Sequence, residues 1–424
     1  MTEIIKLDRA GSLLATLMPK QRSLRLRTVA VFLHRWAGLT MALFLVIEGL
    51  TGSLLAFHWD LVRWLDPRQV AHAPYAGAPH LELAALNARA EALAPHARVE
   101  WQWLVRDDEV LIHMAPRINP VSNRSFAMEF EDIALDPWSG RELARYGAGN
   151  LEPFGAKVMP FIYSLHKRLA VDNPAGEWAL AIIALVWLAD CFVGVYLTFP
   201  AKLKKFWQRW KPAWGFRLRS GAFRLNYDLH RAGSLWLWAV LLVFAVSSVE
   251  LVDKTGFYSW ASQEVLGPWP ALPISSSPSN TGDPLIDWQG AQQAGDQIAD
   301  RLAAEGGFNR GRALLLNGPS EDYPFYQYRV EVQRPFPHDQ GLTFEVNART
   351  GQMGNIMDMN SDNRVQFVSN WLAALHMIDS PVNYLPYRIF VCLFGIALTT
   401  ISFTGIVIWW KKRRARSVAS LRYA

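Results

Sequence analysis

Long apolar runs separated by mixed polar segments dominate the chain. Four runs reach the roughly 20 consecutive apolar residues that a membrane-spanning helix requires: residues 29–57, 178–199, 234–252 and 384–410. The third run is the least apolar of the four. The pattern therefore predicts a mainly α-helical membrane protein built on a bundle of four transmembrane helices.

The segments between the runs alternate apolar and polar residues. "FAMEFEDIALDPWSGREL" alternates and then turns between Asp136 and Gly140, and "GLTFEVNARTGQM" repeats this arrangement in the second segment. Such alternation around a turn is typical of antiparallel strands. A helical stretch precedes each one, "HLELAALNARAEALAP" and "DWQGAQQAGDQIADRLAAEG". Each segment is therefore predicted to be a small α+β domain with a helix packed on an antiparallel sheet.

The second half of the chain repeats motifs of the first. "LHRWAGL" opens the first apolar run and "LHRAGSL" opens the third, while "YSLHKRL" precedes the second and "AALHMID" precedes the fourth. The second and fourth runs also end alike, in "GVYLTFPAK" and "GIVIWWKKR". We interpret the repetition as the duplication of a unit with two transmembrane helices.

Basic residues flank the apolar runs on one predicted side of the membrane. "PKQRSLRLR" precedes the first run, "AKLKKFWQRWKPAWGFRLRS" links the second and third without an acid, and "KKRRAR" follows the fourth. Because flanking Lys and Arg stay in the cytoplasm, both termini are predicted to be cytoplasmic and the α+β domains periplasmic, in a multi-pass protein of the bacterial inner membrane. The formal net charge of +6 then reflects topology, and no nucleic-acid partner is expected.

These patterns divide the chain into predicted segments. In order, they are a cytoplasmic basic arm (1–28), TM1 (29–58), periplasmic domain 1 (59–159), an interfacial helix with TM2 (160–200), a cytoplasmic basic loop (201–225), TM3 (226–252), periplasmic domain 2 (253–363), an interfacial helix with TM4 (364–410) and a cytoplasmic basic tail (411–424). The first apolar run is too long for the core of a signal peptide, so we expect it to stay in the membrane.

Composition agrees with a membrane protein that carries sizeable extramembrane domains. Hydrophobic residues make up 51% of the 424 residues, the mean hydropathy is +0.06 and there are 19 tryptophans. Both cysteines, Cys191 and Cys392, lie inside predicted spans, so no disulfide is expected in the outer domains. The sequence contains no P-loop, dinucleotide fingerprint, HExxH motif or nucleophile elbow, and we expect no nucleotide or flavin site.

Four histidines lie in or beside the predicted spans, where an imidazole is costly unless it has a partner and therefore indicates function. His34 and His230 lie at the cytoplasmic ends of the first and third spans, and His166 and His376 lie just outside the second and fourth on the periplasmic side. Two imidazoles that face each other across a bundle can bind a haem iron from both sides. The two pairs therefore predict bis-histidine haem sites at two depths.

Residues near these histidines are compatible with a bound porphyrin. Four residues beyond each histidine, one turn along a helix, the sequence has only small residues: Gly38, Ala170, Ser234 and Ser380. Basic side chains that can neutralise haem propionates lie beside them: Arg35, Lys167, Arg168 and Arg231. Tryptophans add apolar surface: Trp36, Trp178, Trp187 and Trp236. The same residues also have plainer interpretations as helix contacts, topology determinants and interfacial anchors.

Other ionisable residues have lesser predicted roles. His58, at the outer end of the first span, is an alternative ligand to His166 or His376, although the third span has no matching histidine. Glu48 and Asp190 are acids at membrane depth, which we expect to be protonated or hydrogen-bonded within the bundle, or else to assist charge movement. The remaining histidines lack ligand spacing and are expected to be ordinary surface or core residues: His72, His80, His96, His113 and His338.

Several of these motifs resemble one known family. "LHRWAGL", "LTGSLLAF", "RWLDP", "LDPWSGREL", "VNARTGQM" and "LHRAGSL" resemble the PepSY-associated transmembrane family over essentially the whole chain. Within it, the functional likeness is to inner-membrane ferric-siderophore reductases. That resemblance implies two b-type haems, axial roles for the four histidines, and an oxidoreductase that serves iron uptake. The third span departs from the pattern, with "AVSS" where the first has "GLTG".

The sequence therefore predicts a transmembrane electron-transfer protein with two haems b. His34 and His230 are assigned to the cytoplasmic haem, and His166 and His376 to the outer one. Electrons from quinol or a cytoplasmic reductase are expected to reach a periplasmic ferric siderophore or another acceptor. Hard oxygen ligands hold Fe(II) less tightly than Fe(III), so reduction would release the iron. Two non-redox alternatives stay open: a membrane-anchored PepSY binding or sensing module, and a divalent-metal transporter.

Overall fold

The computed structural model describes residues 4–147, 154–269, 285–319, 323–333, 341–357, 363–378 and 383–422, with side chains described only within residues 26–417. Two residues assessed from the sequence, Ser380 and His338, lie outside the described residues. Within the described ranges, helices occupy the predicted spans and antiparallel strands occupy the segments between them.

The helices follow the predicted order of spans and flanking segments. In chain order they are α1 (Ile4–Leu55), α2 (His58–Leu65), α3 (Leu83–Leu93), α4 (Phe154–Arg168), α5 (Ala175–Thr198), α6 (Phe206–Trp210), α7 (Ala222–Trp236), α8 (Trp238–Leu251), α9 (Phe257–Leu266), α10 (Trp288–Gly306), α11 (Arg364–Met377) and α12 (Leu385–Arg422), with 3-10 turns at Pro67–Gln69 and Lys211–Trp214.

The strands form antiparallel sheets. They are β1 (Ala97–Arg106), β2 (Glu109–Pro116), β3 (Ile118–Asn119), β4 (Arg124–Ser125), β5 (Asp132–Leu135), β6 (Glu142–Tyr146), β7 (Asn309–Asn317), β8 (Phe325–Gln333), β9 (Gly341–Asn347) and β10 (Met353–Met357). One sheet has the order β1-β2-β5-β6, another has the order β10-β9-β8-β7, and β3 pairs with β4 in a short ribbon.

The apolar helices agree with a membrane protein. Three described stretches are long and apolar enough to cross a bilayer: Leu26–Leu55 of α1, Ala175–Thr198 (α5) and Leu385–Ser417 of α12. α7 and α8 meet the same criteria of length and hydropathy only when they are taken together, and they are bent by 70° relative to each other. Counted as one broken span, they bring the candidate spans in the described residues to four. The predicted TM3 is therefore a broken helix and not one straight span.

The break in this pair lies at Leu237, whose φ of −94° and ψ of 1° depart from helical values. The tryptophans on either side of it are hydrogen-bonded to different parts of the chain. The indole Nε1 of Trp236 donates to the carbonyl oxygen of Trp214, and that of Trp238 donates to the carbonyl oxygen of Cys191, each at 3.0 Å. Each half of the broken helix therefore has its own long-range hydrogen bond, which hydropathy alone does not reveal.

Two other boundaries differ from the sequence-based ones. α1 is 52 residues long and includes most of the predicted basic arm, so the arm and TM1 form one helix. This helix ends at Leu55, and His58 is the first residue of α2. His58 therefore lies beyond the first span and not at its outer end.

The chain divides into two compact units. The first, here called the helical unit, contains Met1–Ser53, Ser164–Trp260 and Ile389–Ala424. The second, the sheet unit, contains Leu54–Tyr163 and Ala261–Arg388. The segments predicted as two separate α+β domains thus belong to a single unit.

The edge strands β1 and β7 join the two four-stranded sheets within the sheet unit. The backbone N–H of Gly318 donates to the carbonyl oxygen of Glu100 at 3.2 Å, and the N–H of Gln102 donates to Oδ1 of Asn317 at 2.9 Å. Pairing two edges in this way covers backbone groups that would otherwise stay open to unwanted strand addition. The helices α3 and α10 pack on the sheets, as the sequence predicted for each segment.

The two predicted strand-turn-strand motifs are confirmed and share one construction. In the first, Oδ1 of Asp136 accepts hydrogen bonds from the N–H groups of Trp138 and Ser139, and Gly140 has a φ of +65°. In the second, Oδ1 of Asn347 accepts from the N–H groups two and three residues later, and Gly351 has a φ of +68°. A side-chain acceptor followed by a glycine in the left-handed region determines each turn.

Candidate functional site

A cavity of about 800 Å³ lies inside the helical unit, lined by residues of α1, α5, α7, α8 and α12. Its walls are mainly apolar and include the buried side chains of Met41, Trp187 and Leu398. His34 and His230 both line it. The helices therefore bring together the two histidines that the sequence assigned to the cytoplasmic site.

The two imidazoles lie close together in this cavity. Their ring centroids are 6.0 Å apart and their planes are inclined by 49°. Two imidazoles that bind one metal ion from opposite sides, each through a nitrogen at about 2 Å, have centroids about 6 Å apart. The spacing is thus suitable for one ion between the rings.

The ring nitrogen Nδ1 of His34 is held by a carboxylate. It lies 2.9 Å from Oδ1 and 3.0 Å from Oδ2 of Asp190, which is 9% exposed. Asp190 is part of α5, a helix otherwise almost entirely apolar. The prediction that this acid is hydrogen-bonded within the bundle is confirmed, and its partner is the predicted ligand itself.

The Nδ1 of His230 has a neutral acceptor. It donates to the main-chain carbonyl oxygen of Ile401 in α12 at 3.0 Å. A carbonyl oxygen can only accept, so this bond places the proton on Nδ1 and the lone pair on Nε2. A metal-binding histidine is oriented in the same way, with one nitrogen anchored and the other free to bind.

Glycines on neighbouring helices lie next to both rings. A Cβ added at Gly194 would lie 3.7 Å from Cε1 of His34, and one added at Gly405 would lie 3.0 Å from Cε1 of His230. Each glycine lies four residues after the residue that holds the ring, Asp190 in α5 and Ile401 in α12. The two sides of the cavity therefore have the same spacing of acceptor and glycine.

A third histidine, His166, has a comparable environment on the first span. Its Nδ1 lies 2.9 Å from Oε2 of Glu48 and 2.8 Å from Oγ1 of Thr51. A Cβ at Gly52 would lie 3.3 Å from its Cε1. Glu48, like Asp190, is therefore hydrogen-bonded within the bundle, as the sequence predicted. His376 lies in the last turn of α11, in the sheet unit.

The structure agrees with the small residues predicted beside His34 and His230, but not with the one predicted beside His166. Gly38 and Ser234 both line the cavity, and a Cβ at Gly38 would meet nothing within 4 Å. The prediction for Ala170 is wrong in its geometry. α4 ends at Arg168, and Ala170 has a φ of +54°, so it does not lie one helical turn beyond His166.

Two predicted basic residues also line the cavity. Arg35 lies over the rings of Phe32 and Trp36, at 5.6 and 5.4 Å from their centroids. Arg231 donates to Oδ1 of the fully buried Asp228 at 3.0 Å. The Nε atoms of Arg35 and Arg231 are buried and have no hydrogen-bond partner in the part of the chain that the structure describes. Lys167 and Arg168 are not among the described residues that line this cavity.

The predicted tryptophans divide between the cavity and its surroundings. Trp36 and Trp187 line it, together with Trp238 and Trp409, which the sequence had not singled out. Trp178 and Trp236 are 45% and 65% exposed. Exposed tryptophans on membrane helices are typical of interfacial anchors.

The other histidines lie in the sheet unit. His58 is half-buried, burial lowers its pKa, and its Nδ1 has no hydrogen-bond partner among the described residues. It thus lacks the anchored Nδ1 that His34, His166 and His230 have. The rest pack against aromatic rings, bind nearby acids or lie exposed: His72, His80, His96 and His113.

The cavity residues fit a haem on four counts. The volume and apolar walls are suitable for a porphyrin, the two histidines have a centroid spacing compatible with one ion between them, and the Nδ1 bond of His230 leaves its Nε2 for a metal. A Cβ at Gly38 would meet nothing within 4 Å, and the buried Nε atoms of two arginines have no acceptor among the described residues. A porphyrin supplies four iron ligands itself, so two imidazoles complete the set.

Comparison with protein families agrees with this architecture. Residues 31–412 match the family described as the PepSY-associated TM region. The chain belongs to this family. The match includes His34, His166, His230 and His376, and it extends from the first span to the last. No curated protein matches the chain at a significant level of similarity.

Some features of this site in the PepSY-associated protein were not predicted from the sequence. Gly194, Gly405 and the carbonyl oxygen of Ile401 were not singled out, although the repeated endings "GVYLTFPAK" and "GIVIWWKKR" contain both glycines. A glycine repeated at the same place in two apolar helices is the signal that was available. The role of a main-chain carbonyl has no sequence signal, because every residue has one.

Proposed function

We propose that this PepSY-associated membrane protein carries electrons across the bacterial inner membrane through two haems b. The electrons would come from quinol or a cytoplasmic reductase. The acceptor would be a periplasmic ferric siderophore or another ferric chelate, so that the protein acts as a ferric reductase in iron uptake.

The observation that carries this proposal is the pair His34 and His230. Their centroid spacing of 6.0 Å and their anchored Nδ1 atoms are what bis-histidine ligation needs. A single interfacial histidine would support little. Two that lie 6.0 Å apart inside an apolar cavity, each held at Nδ1 by an acceptor, support a metal-centred cofactor.

The chain's own residues would have distinct tasks at this site. Asp190 and Ile401 orient the ligands, and the apolar walls around Trp187 exclude water. Arg35 and Arg231 supply positive charge, and their Nε donors, which have no acceptor among the described residues, suit carboxylates such as haem propionates. When bound, haem supplies a one-electron Fe(III)/Fe(II) couple.

The second haem is assigned to His166 and His376. Support comes from the environment of His166, whose Nδ1 is held by Glu48 and Thr51 in the manner of His34. His58 remains the alternative ligand, and its Nδ1 has no such anchor within the described ranges. Ligands at two depths would allow electrons to cross the bilayer without alternating conformations of the protein.

The direction of transfer follows from the proposed topology. Acid-free basic segments flank the spans, which favours cytoplasmic termini and a periplasmic sheet unit. A ferric complex at the periplasmic side would receive the electron, and Fe(II) would leave its hard oxygen ligands more readily. Duplication of a two-helix unit would explain why both halves contribute one histidine to each site.

The decisive experiment is a visible spectrum of the purified full-length chain with a pyridine haemochrome assay. We expect low-spin b-type bands and about two haems per chain. Reduction of ferric siderophores in membrane vesicles supplied with a quinol would then identify the acceptor. A folded but colourless chain would contradict the proposal and favour a PepSY binding or sensing module.

A further inference from the structure

His34 and His230 differ in the group that holds their Nδ1 atoms. His34 is held by the carboxylate of Asp190, and His230 is held by a neutral carbonyl oxygen. Asp190 and Ile401 are each four residues before a glycine that contacts the corresponding ring. The asymmetry therefore comes from a single side chain at corresponding positions of the two helices.

The charge of Asp190 is directed at His34. Both carboxylate oxygens lie within 3.0 Å of Nδ1, and Asp190 is 9% exposed. In the described part of the chain, its ion pair is with His34. A buried carboxylate has little water to screen it, so its charge acts strongly on the imidazole.

We propose that Asp190 is a positioning residue that makes His34 the stronger electron donor of the two ligands and thereby lowers the reduction potential of the site. A carboxylate that accepts from Nδ1–H increases electron density at Nε2, and an electron-rich ligand stabilises Fe(III) relative to Fe(II). The carbonyl of Ile401 orients His230 without adding this charge. This inference rests on the proposed haem function.

The test compares the parent chain with three variants, each purified at full length with its haems. Asp190→Asn keeps an oxygen acceptor for Nδ1–H and removes the charge, and Asp190→Glu keeps the charge. The control is Thr404→Val, because Oγ1 of Thr404 lies 3.4 Å from Nδ1 of His230 and carries no charge. Haem content and potentiometric titration of the haem absorbance are measured for all four proteins.

In Asp190→Asn, we expect one of the two redox steps to move to higher potential while the other stays. A tenfold change in the preference of the site for Fe(III) corresponds to about 59 mV for a one-electron couple. Asp190→Glu and Thr404→Val should both stay close to the parent. Unchanged potentials in a haem-loaded Asp190→Asn protein would overturn the inference.

If Asp190→Asn loses haem, the Asp190→Glu variant shows whether the charge or the shape of the side chain is responsible. Haem retained by the glutamate variant at a parent-like potential supports a requirement for the carboxylate. An empty glutamate variant shows a merely steric role and overturns the inference. A parent chain without haem contradicts the proposed function itself, which separates the two failures.

Discussion

The two sides of the cavity use the same geometry and different electrostatics. On both, a histidine ring rests against a glycine of the opposite helix and its Nδ1 is held about 3 Å from an acceptor. On the His34 side the acceptor is a carboxylate, and on the His230 side it is a backbone carbonyl. Ligand placement and ligand electronics are therefore controlled by separate features.

This difference has a consequence for substitution. The carboxylate of Asp190 can be removed by changing one residue, but the carbonyl of Ile401 is present whatever residue occupies that position. A substitution at residue 190 can therefore change the charge next to His34, whereas a substitution at residue 401 leaves the acceptor of His230 in place. Experiments that treat the two sides in parallel can test this contrast.

The largest effect is expected from removing either ligand. His34→Ala and His230→Ala should each lose about one haem per chain, because one imidazole cannot complete the axial set. Haem content by pyridine haemochrome measures this. His72→Ala, an exposed residue of the sheet unit, is the matched control and should keep both haems. If either ligand variant kept its full haem content, the substituted histidine would not be a haem ligand and the two sides would not be equivalent.

The arginines beside the two histidines should differ in their effect on stability. Arg231→Ala leaves the fully buried Asp228 with Arg224, at 3.2 Å, and the N–H of Arg217. We expect a loss of about 2 to 3 kcal/mol in the free energy of unfolding, less than for a buried ion left without any partner.

Among the contacts of the described residues, Arg35→Ala removes those with the rings of Phe32 and Trp36 and should cost about 0.5 to 1 kcal/mol. Thermal or denaturant unfolding of both variants in the same detergent gives the comparison. Equal losses would show that Asp228 does not depend on Arg231.

The two glycines should respond unequally to a methyl group. Alanine is favoured over glycine in a helix by up to about 1 kcal/mol, and Gly194→Ala has 3.7 Å to the His34 ring, which is ordinary contact. Gly405→Ala approaches Cε1 of His230 to 3.0 Å, so the ring must move. We expect Gly194→Ala to be neutral or stabilising.

Gly405→Ala should instead cost about 1 to 3 kcal/mol by overpacking and reduce haem content. Unfolding curves and haem stoichiometry of the two variants decide the matter. Equal haem retention in both proteins would mean that the His230 ring has room which the structure does not show.

The smallest effect is expected from Thr404→Val. Its hydroxyl donates to the carbonyl oxygen of Ile401 at 2.7 Å and lies 3.4 Å from Nδ1 of His230, a distance at which a hydrogen bond contributes little. Haem content should stay at the parent value, with a stability change below about 0.5 kcal/mol. A clear loss of haem would mean that the hydroxyl, and not only the carbonyl, holds His230.

Much of the fold was accessible from the sequence because its signals are local. A run of apolar residues indicates a span by its length, and an Asp or Asn followed by a glycine at a short spacing indicates a turn, as at Asp136 and Asn347. Only part of the candidate site could be predicted from the sequence. The histidines were recognisable by their repetition, but the spacing rule placed Ala170 on a helix that ends before it.

The remaining features depend on residues far apart in the chain. The break at Leu237 is held by indole bonds to Trp214 and Cys191, neither of which changes the hydropathy of the run. The joining of the two sheets depends on an edge contact between Glu100 and Gly318. No local pattern indicates either partner.

The sequence by itself determined that the chain has apolar spans, antiparallel sheets and repeated histidines, since length, alternation and turn residues act over a few positions. The tertiary structure decided which nitrogen of each histidine is held, by what acceptor and with what charge. The physical reason is that Asp190 and His34 are 156 residues apart, and only the packing of α1 against α5 brings a buried carboxylate to the imidazole.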